Sequence, residues 1–214
     1  MLQISKKSLA IILSRLKPFE NPKVKVEQYT TDPEIAAQVL VQAAMQGDIK
    51  NKEIADFGAG SGILALGAAL MGAKKVFALE SESSAVAQSK INRSFLAANY
   101  PEVFSESKVD MREQNIMDFN QKVDCVIQNP PFGTKEVHQD IVFLDKAMKI
   151  APIIYSFHKS STITYLEKYI NKKEFKITHR MFFDFPIKKT MKFHQKPKKL
   201  IKVVVLRIEK RELF

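Results

Sequence analysis

The chain has 214 residues, 45% of them hydrophobic, which suits a single domain built on one sizeable core. Its one cysteine, Cys125, excludes an internal disulfide or a cysteine-rich zinc site and points to a reducing, intracellular setting. The net charge of +11 sits at one end: residues 1–150 hold 18 Lys+Arg and 18 Asp+Glu, whereas residues 151–214 hold 16 and 5. A charge excess so localised favours an anionic partner, and nucleic acid above all, over a merely solvated basic surface.

Near the start, Leu9-Ala10-Ile11-Ile12-Leu13 lies between Lys7 and Arg15. The run is too short to span a membrane and no cleavage site follows it, so it reads as one face of an amphipathic helix in a soluble, cytoplasmic protein. Asp32-Pro33-Glu34 opens a helix that Gly47 stops, with Asp32 as N-cap and Pro33 in the first turn. Glu53–Phe57 is a short strand, Ile63–Met71 an apolar helix closed by Gly72, and Lys75–Glu80 a second strand. Ser83 or Ser84 is expected to cap a helix reaching Asn99, with Glu82 as an acid favoured by its dipole.

Strands follow at Val109–Gln114 and Val123–Gln128, then a helix over Asp140–Lys149 and a strand over Ile153–Phe157. A helix over Thr162–Asn171 precedes two last strands, Phe175–Phe185 and Leu200–Ile208, with a basic loop between them. Alternating strands and helices imply parallel pairing with helices on both faces. The last two strands have no helix between them and should pair antiparallel. The expected fold is α/β: a Rossmann-like, doubly wound, mostly parallel seven-stranded sheet closed by a C-terminal antiparallel hairpin. Residues 1–50 form a helical extension, 51–158 the cofactor-binding and catalytic core, and 159–214 a basic helix and hairpin.

Asp56-Phe57-Gly58-Ala59-Gly60-Ser61-Gly62 follows the first strand and opens a helix. Glycines allow a sharp turn and a close approach of backbone N–H groups to a ligand. A dinucleotide fingerprint would need glycine at position 63, which is Ile63. The D-x-G-x-G-x-G spacing instead resembles the cofactor loop of class I methyltransferases, which lies against the methionine part of S-adenosylmethionine, with Asp56 orienting the site. Glu80 ends the second strand 22 residues after Gly58, where a carboxylate can accept both ribose hydroxyls. Asn115 follows the third strand and can accept from an adenine amino group.

Asn129-Pro130-Pro131-Phe132 ends the fourth strand, beside the glycine loop at the switch point of the sheet. An exocyclic amine on a base is a poor nucleophile because its lone pair is delocalised into the ring. Two acceptors near its hydrogens, the Asn129 amide oxygen and the Pro130 carbonyl, can draw the nitrogen towards tetrahedral geometry. Pro130 and Pro131 fix the backbone and aim these acceptors in advance. Phe132 offers a flat face for stacking an extruded base. Adenine N6, guanine N2 and the side-chain amide of protein glutamine would all suit such a tetrapeptide.

These motifs occur in one order with Glu27-Gln28-Tyr29-Thr30-Thr31, with Gly133-Thr134-Lys135 following Phe132, and then with Tyr155 through Ser161 and Lys192-Phe193-His194. Together they resemble the methyltransferase-like adenine-N6 methyltransferases of small-subunit ribosomal RNA in archaea and eukaryotes, over almost the whole chain. The resemblance implies a class I fold, S-adenosylmethionine as donor and a ribosomal RNA adenine as acceptor; no metal site is expected. In the eukaryotic enzyme it also implies a small zinc-binding activator subunit paired by strand addition. Gln28, Tyr29, Thr31, Asp56, Gly58, Gly60, Ser61, Gly62, Ile63, Glu80, Asn115 and Ile116 would then contact the cofactor, and Asn129 through Phe132 would hold the adenine. Glu80 and Asn115 stand where aspartates are more usual, and Ser61 where a cysteine is.

His158 and Lys159, and Lys192-Phe193-His194, are expected on loops that touch RNA, while His138 and His179 read as ordinary surface or packed residues. The run Lys188, Lys189, Lys192, Lys196, Lys198 and Lys199, with Phe193 inside it, suits backbone tracking combined with stacking. Protein glutamine N5-methylation fits less well, because those enzymes generally carry a separate N-terminal helical domain and only about 50 residues precede the first strand here. RNA guanine N2-methylation, and a non-catalytic RNA-binding role on the same fold, also compete with adenine methylation. Binding of rRNA through the basic loop should weaken steeply between low and high salt in a filter-binding titration; a flat curve would contradict it.

Overall fold

A computed structural model describes residues 4–18, 31–131, 139–187 and 199–211. Helices α1 (Lys6–Ser14) and α2 (Pro33–Met45) precede the sheet. The core then alternates: β1 (Glu53–Phe57), α3 (Ile63–Leu70), β2 (Lys75–Glu80), α4 (Ser83–Asn99), β3 (Val109–Glu113) and β4 (Cys125–Gln128). It continues through α5 (Gln139–Ile150), β5 (Ile153–Lys159), α6 (Ile163–Asn171), β6 (Phe175–Ile187) and β7 (Lys199–Lys210). The strand order is β3-β2-β1-β4-β5-β7-β6. β1 to β5 are parallel, and β7 runs antiparallel between β5 and β6.

The parallel strands are buried on both faces, which explains their near-continuous apolar runs. On one face α1, α2 and α3 pack through Leu9, Leu13, Val39, Leu40 and Leu66 onto Ile54, Val76 and Ile127. On the other, α5 and α6 pack through Ile141, Leu144, Leu166 and Ile170 onto Phe57, Val126, Ile154 and Val204. All eight residues of α3 are buried, so this helix lies inside the molecule rather than across its surface. Among the described residues no helix is long and apolar enough to cross a membrane.

Local capping follows the sequence for α2, where Asp32 Oδ1 accepts from Glu34 N at 2.9 Å and Ile35 N at 3.3 Å. The start of α4 differs from expectation. Glu82 occupies the N-cap position and neither serine caps the helix. Ser83 lies inside the first turn and donates to Glu113 at 2.6 Å, while the Glu82 N–H is held by Glu80 Oε1 at 3.0 Å. β5 also runs two residues further than expected and takes in His158 and Lys159.

A buried polar cluster ties the ends of the fold together. Arg207 of β7 donates to Asp48 through Nε at 2.8 Å and Nη2 at 3.1 Å, and the Tyr155 hydroxyl donates to Asp48 Oδ2 at 2.6 Å. Asp48 and Arg207 are 8% and 7% exposed. The pair therefore fixes the α2–β1 connection to a strand 159 positions later. Removing one member of such a pair costs up to about 3–5 kcal/mol, although Arg207 Nη1 also donates to Glu209 at 2.9 Å and to Thr178 at 2.8 Å and stays partly paired without Asp48. Asp48→Ala should therefore lower the calorimetric melting temperature by roughly 6–15 °C, and a drop below about 2 °C would contradict this role.

Candidate active site

The site is the edge where the parallel strands end. β1 and β4 pair with Phe57 level with Gln128, so Gly58 and Asn129 leave the sheet side by side. The glycine turn folds back over β2: the N–H groups of Gly58 and Ala59 both donate to Leu79 O at 2.9 Å. Gly58, Gly60 and Gly62 take φ values of +69°, +56° and +86°, which side-chain-bearing residues rarely adopt. A Cβ on Gly62 would also stand 3.2 Å from Met111 Cε and from Ser89 Cβ.

Glu80 sits directly against this turn. Its Oε2 accepts from Gly60 N at 3.0 Å, and its Oε1 accepts from Glu82 N at 3.0 Å. Each carboxylate oxygen keeps a second lone pair, so the group can still receive hydroxyls from a ligand. Asn115 caps the short 3-10 turn Ile116–Asp118 through its Oδ1, which accepts from Met117 N at 2.9 Å. Ile116 is buried beside it.

Asp56 is 1% exposed. Its Oδ2 accepts from Ala65 N at 2.9 Å, whereas Oδ1 is buried without a hydrogen-bond partner. Burial pushes its carboxyl up to about 7, opposed by the Ala65 N–H bond and reinforced by the Glu80 charge. A buried acceptor left in this condition beside a glycine turn suits a ligand carrying a cationic amine. Glu80, which keeps free lone pairs, could accept a vicinal diol; an amine and a vicinal diol are both groups that S-adenosylmethionine carries.

Asn129 is half-buried, and its Nδ2 donates to Thr31 Oγ1 at 3.0 Å. The NH₂ end of the amide is thus committed to Thr31, and the oxygen is the end turned away from it. Pro130 is buried and Pro131 half-buried. Sequence placed Thr31 among the cofactor contacts; its observed partner is Asn129.

His158 departs from expectation more sharply. It is a fully buried residue of β5, not a loop residue, and its ring nitrogens lie 2.7 Å from Ser156 Oγ and 3.2 Å from Asp140 Oδ2. A side chain sealed in the sheet has no surface to offer RNA. Lys159 ends the same strand, half-buried. Gln28, Tyr29, Phe132, Lys192, Phe193, His194, Lys196 and Lys198 lie outside the described residues, and Lys199 opens β7.

Three supporting residues escaped the sequence reading. Asn92 of α4, 1% exposed, donates through Nδ2 to Ser61 O and Lys17 O, both at 2.9 Å. It joins the glycine turn to the N-terminal segment. Lys146 of α5 donates to Met117 O at 2.9 Å and Asn120 Oδ1 at 3.0 Å, holding the turn after β3 from below. Phe143 Cε1 lies 3.3 Å from where a Cβ on Gly58 would be. No local pattern marks these residues; only spacing on a helix face that the fold turns inward could have done so.

A glycine turn after β1, an acid after β2, and an Asn-Pro-Pro turn after β4, on this strand order, define a class I methyltransferase. A family model for ribosomal protein L11 methyltransferase (PrmA) matches residues 35–130. METTL5 of Danio rerio, named an rRNA N(6)-adenosine-methyltransferase, is 32% identical over 94% of this chain and 97% of its own length. Mettl5 of Drosophila melanogaster, of the same name, is 31% identical with 98% of each chain covered. The crystal structure of PH1948 from Pyrococcus horikoshii, a proposed RNA methyltransferase, matches at TM-score 0.82 and 39% identity over 97% of this chain and 98% of that one. The chain belongs to the METTL5 family of methyltransferases.

The raised Asp56 carboxyl has a consequence for the ligand-free protein. Between an unfolded value of 3.8 and a folded value of about 7, the unfolded chain ionises while the folded one stays protonated. Stability from this group is therefore present below pH 4 and is lost as pH rises towards 7, by up to about 4 kcal/mol. Asp56→Asn should remove that slope from denaturation midpoints measured between pH 4 and 7; an unchanged slope would contradict the buried, unpaired carboxyl.

Proposed function

We propose that this chain transfers a methyl group from S-adenosylmethionine to the N6 amino group of an adenosine in ribosomal RNA. The observation that carries this reading is the Asn129 amide. It is clamped by Thr31 with its oxygen turned away, level with the glycine turn across β1 and β4. The relatives named for rRNA adenosine methylation match end to end, including the region that holds the basic excess. The L11 methyltransferase model ends at Pro130, so it takes in the glycine turn, Asn129 and Pro130 but none of the basic C-terminal region.

The donor supplies a methyl group on a sulfonium whose leaving group is neutral. Gly58 through Ile63 would seat its methionine end, with Asp56 beneath as the counter-charge for the amine. Glu80 would receive the ribose hydroxyls, and Asn115 and Ile116 would border the adenine. Asn129 Oδ1 and the Pro130 carbonyl would accept the two amino hydrogens of the target base and so localise its nitrogen lone pair. Because Pro130 and Pro131 have fixed φ, these acceptors need no reorganisation when the base arrives. Phe132 would stack on the base. No strong general base is needed, since alignment of nucleophile and methyl supplies much of the acceleration.

Contact with rRNA is assigned to the basic C-terminal region, including Lys159 and Lys192 through Lys199, in a cytoplasmic protein. β3 is an edge strand, and its open side suits strand addition by a small zinc-binding activator subunit.

Incubation with rRNA and labelled donor, followed by nucleoside mass spectrometry, should yield N6-methyladenosine. N2-methylguanosine, or label in ribosomal protein, would overturn the assignment. In the same assay Asn129→Ala should reduce turnover by about 10²–10³-fold, the loss typical of one preorganised acceptor or donor. Thr31→Val should reduce it about tenfold through disordered aim alone. Calorimetric donor affinity should stay within about threefold for Asn129→Ala; equal losses in affinity and turnover would remove Asn129 from the chemical step.

A further inference from the structure

One buried array beneath the catalytic turn has no part in the mechanism above. Gln128, Ser156 and His158 are each 0% exposed, and they face α5 from the ends of β4 and β5. Gln128 Nε2 donates to Ser156 Oγ at 2.9 Å. Ser156 Oγ and His158 Nε2 are 2.7 Å apart, and His158 Nδ1 and Asp140 Oδ2 3.2 Å apart. The directions follow from the two ends. The Asp140 carboxylate only accepts, so His158 Nδ1 carries a hydrogen. With the hydrogen on Nδ1, the neutral ring presents Nε2 as an acceptor, and the Ser156 hydroxyl donates to it. Four groups are thereby aligned donor to acceptor, from Gln128 to Asp140, and each bond polarises the next. The His158 hydrogen bond holds the Asp140 carboxyl below its usual range.

The placement of the two ends gives the array its meaning. Gln128 immediately precedes Asn129. Asp140 lies in the first turn of α5, the helix that follows the segment begun by Asn129-Pro130-Pro131. Gln128, the residue before Asn129, and Asp140 in α5 are thus joined to one strand, β5, by a single hydrogen-bonded chain. The surroundings are otherwise apolar, with Phe57, Val126, Ile141, Leu144 and Ile154 in the same core, and an all-apolar packing would have served for stability alone. Hydrogen bonds add what apolar packing lacks, a fixed direction for each group.

We propose that Asp140, His158, Ser156 and Gln128 act together as positioning residues that hold Asn129 and Pro130 at the geometry methyl transfer requires. The proposal rests on the methyl-transfer reading given above. It concerns the aim of the acceptors, so it predicts losses in turnover rather than in binding. A misplacement of about 1 Å at a reacting centre can cost about 100-fold.

The test is single-turnover methylation of rRNA by the full-length protein, at saturating donor, in four variants. Ser156→Ala cuts the chain in the middle with little change in volume. Asp140→Ala removes its end, while Asp140→Asn retains an oxygen that can accept from His158. Leu144→Ala opens the same core without touching the chain. The expected result is a rate about 10- to 100-fold down in Ser156→Ala and Asp140→Ala, with donor and RNA dissociation constants within about threefold of wild type. Asp140→Asn should recover to within about threefold. Leu144→Ala should lower the melting temperature yet leave the rate at 20 °C nearly unchanged. Full activity in Ser156→Ala and Asp140→Ala, or losses that track melting temperature as in Leu144→Ala, would overturn the positioning role alone. A wild-type protein that fails to methylate rRNA would overturn the functional reading and the positioning role with it.

Discussion

The parallel pairing of β1 with β4 sets everything at this site. Its register puts Phe57 opposite Gln128, so both strands end at one level and both following turns open into one crevice. On one side is a glycine turn whose positive-φ residues carry no side chains that would keep a donor at a distance. On the other is a rigid Asn-Pro-Pro turn able to receive a target. A shift of one residue would send every side chain of β4 to the opposite face and bury Asn129 in place of Gln128. That shift would break the Gln128–Ser156 and Asn129–Thr31 hydrogen bonds and bury both amides without partners.

Around that crevice the protein keeps polar groups where an apolar core would be simpler. Asp56 stays buried with one oxygen unpaired, Glu80 is drawn onto the glycine turn, and a four-member chain underlies Asn129. The Asp48–Arg207–Tyr155 cluster is matched and fixes the fold. Besides Asp56 Oδ1, Gln128 Oε1, Arg93 Nε and Ser160 Oγ are also buried without a partner among the described residues. What sets the Asp56 oxygen apart is its place beside the glycine turn, where a ligand could pair with it.

Much of this was legible in the amino-acid order. The alternation of apolar strands and helices gave the sheet, and Asp32-Pro33-Glu34 gave the start of α2 to the residue. The glycine turn, Glu80 and Asn129 were legible because each follows a strand, where α/β sheets place their chemistry. What escaped depended on distance along the chain. Thr31 meets Asn129 across 98 positions and Asn92 meets Ser61 across 31, and no local pattern encodes such pairings. His158 was misread because a histidine followed by lysine looks solvent-facing, yet β5 continues through it and α5 supplies Asp140 as its partner. At α4 the serines were outcompeted by the backbone geometry that Glu80 imposes on Glu82.

The central claim is that one amide, aimed by Thr31, receives the hydrogens of the target amine. A crystal structure of the protein with S-adenosylhomocysteine and a short rRNA fragment containing the target adenosine tests it most directly. The account predicts an extruded adenine with N6 within about 3.2 Å of Asn129 Oδ1 and of the Pro130 carbonyl, and Nδ2 still on Thr31. An adenine seated away from Asn129, or an amide turned so that Nδ2 faces N6, would contradict it.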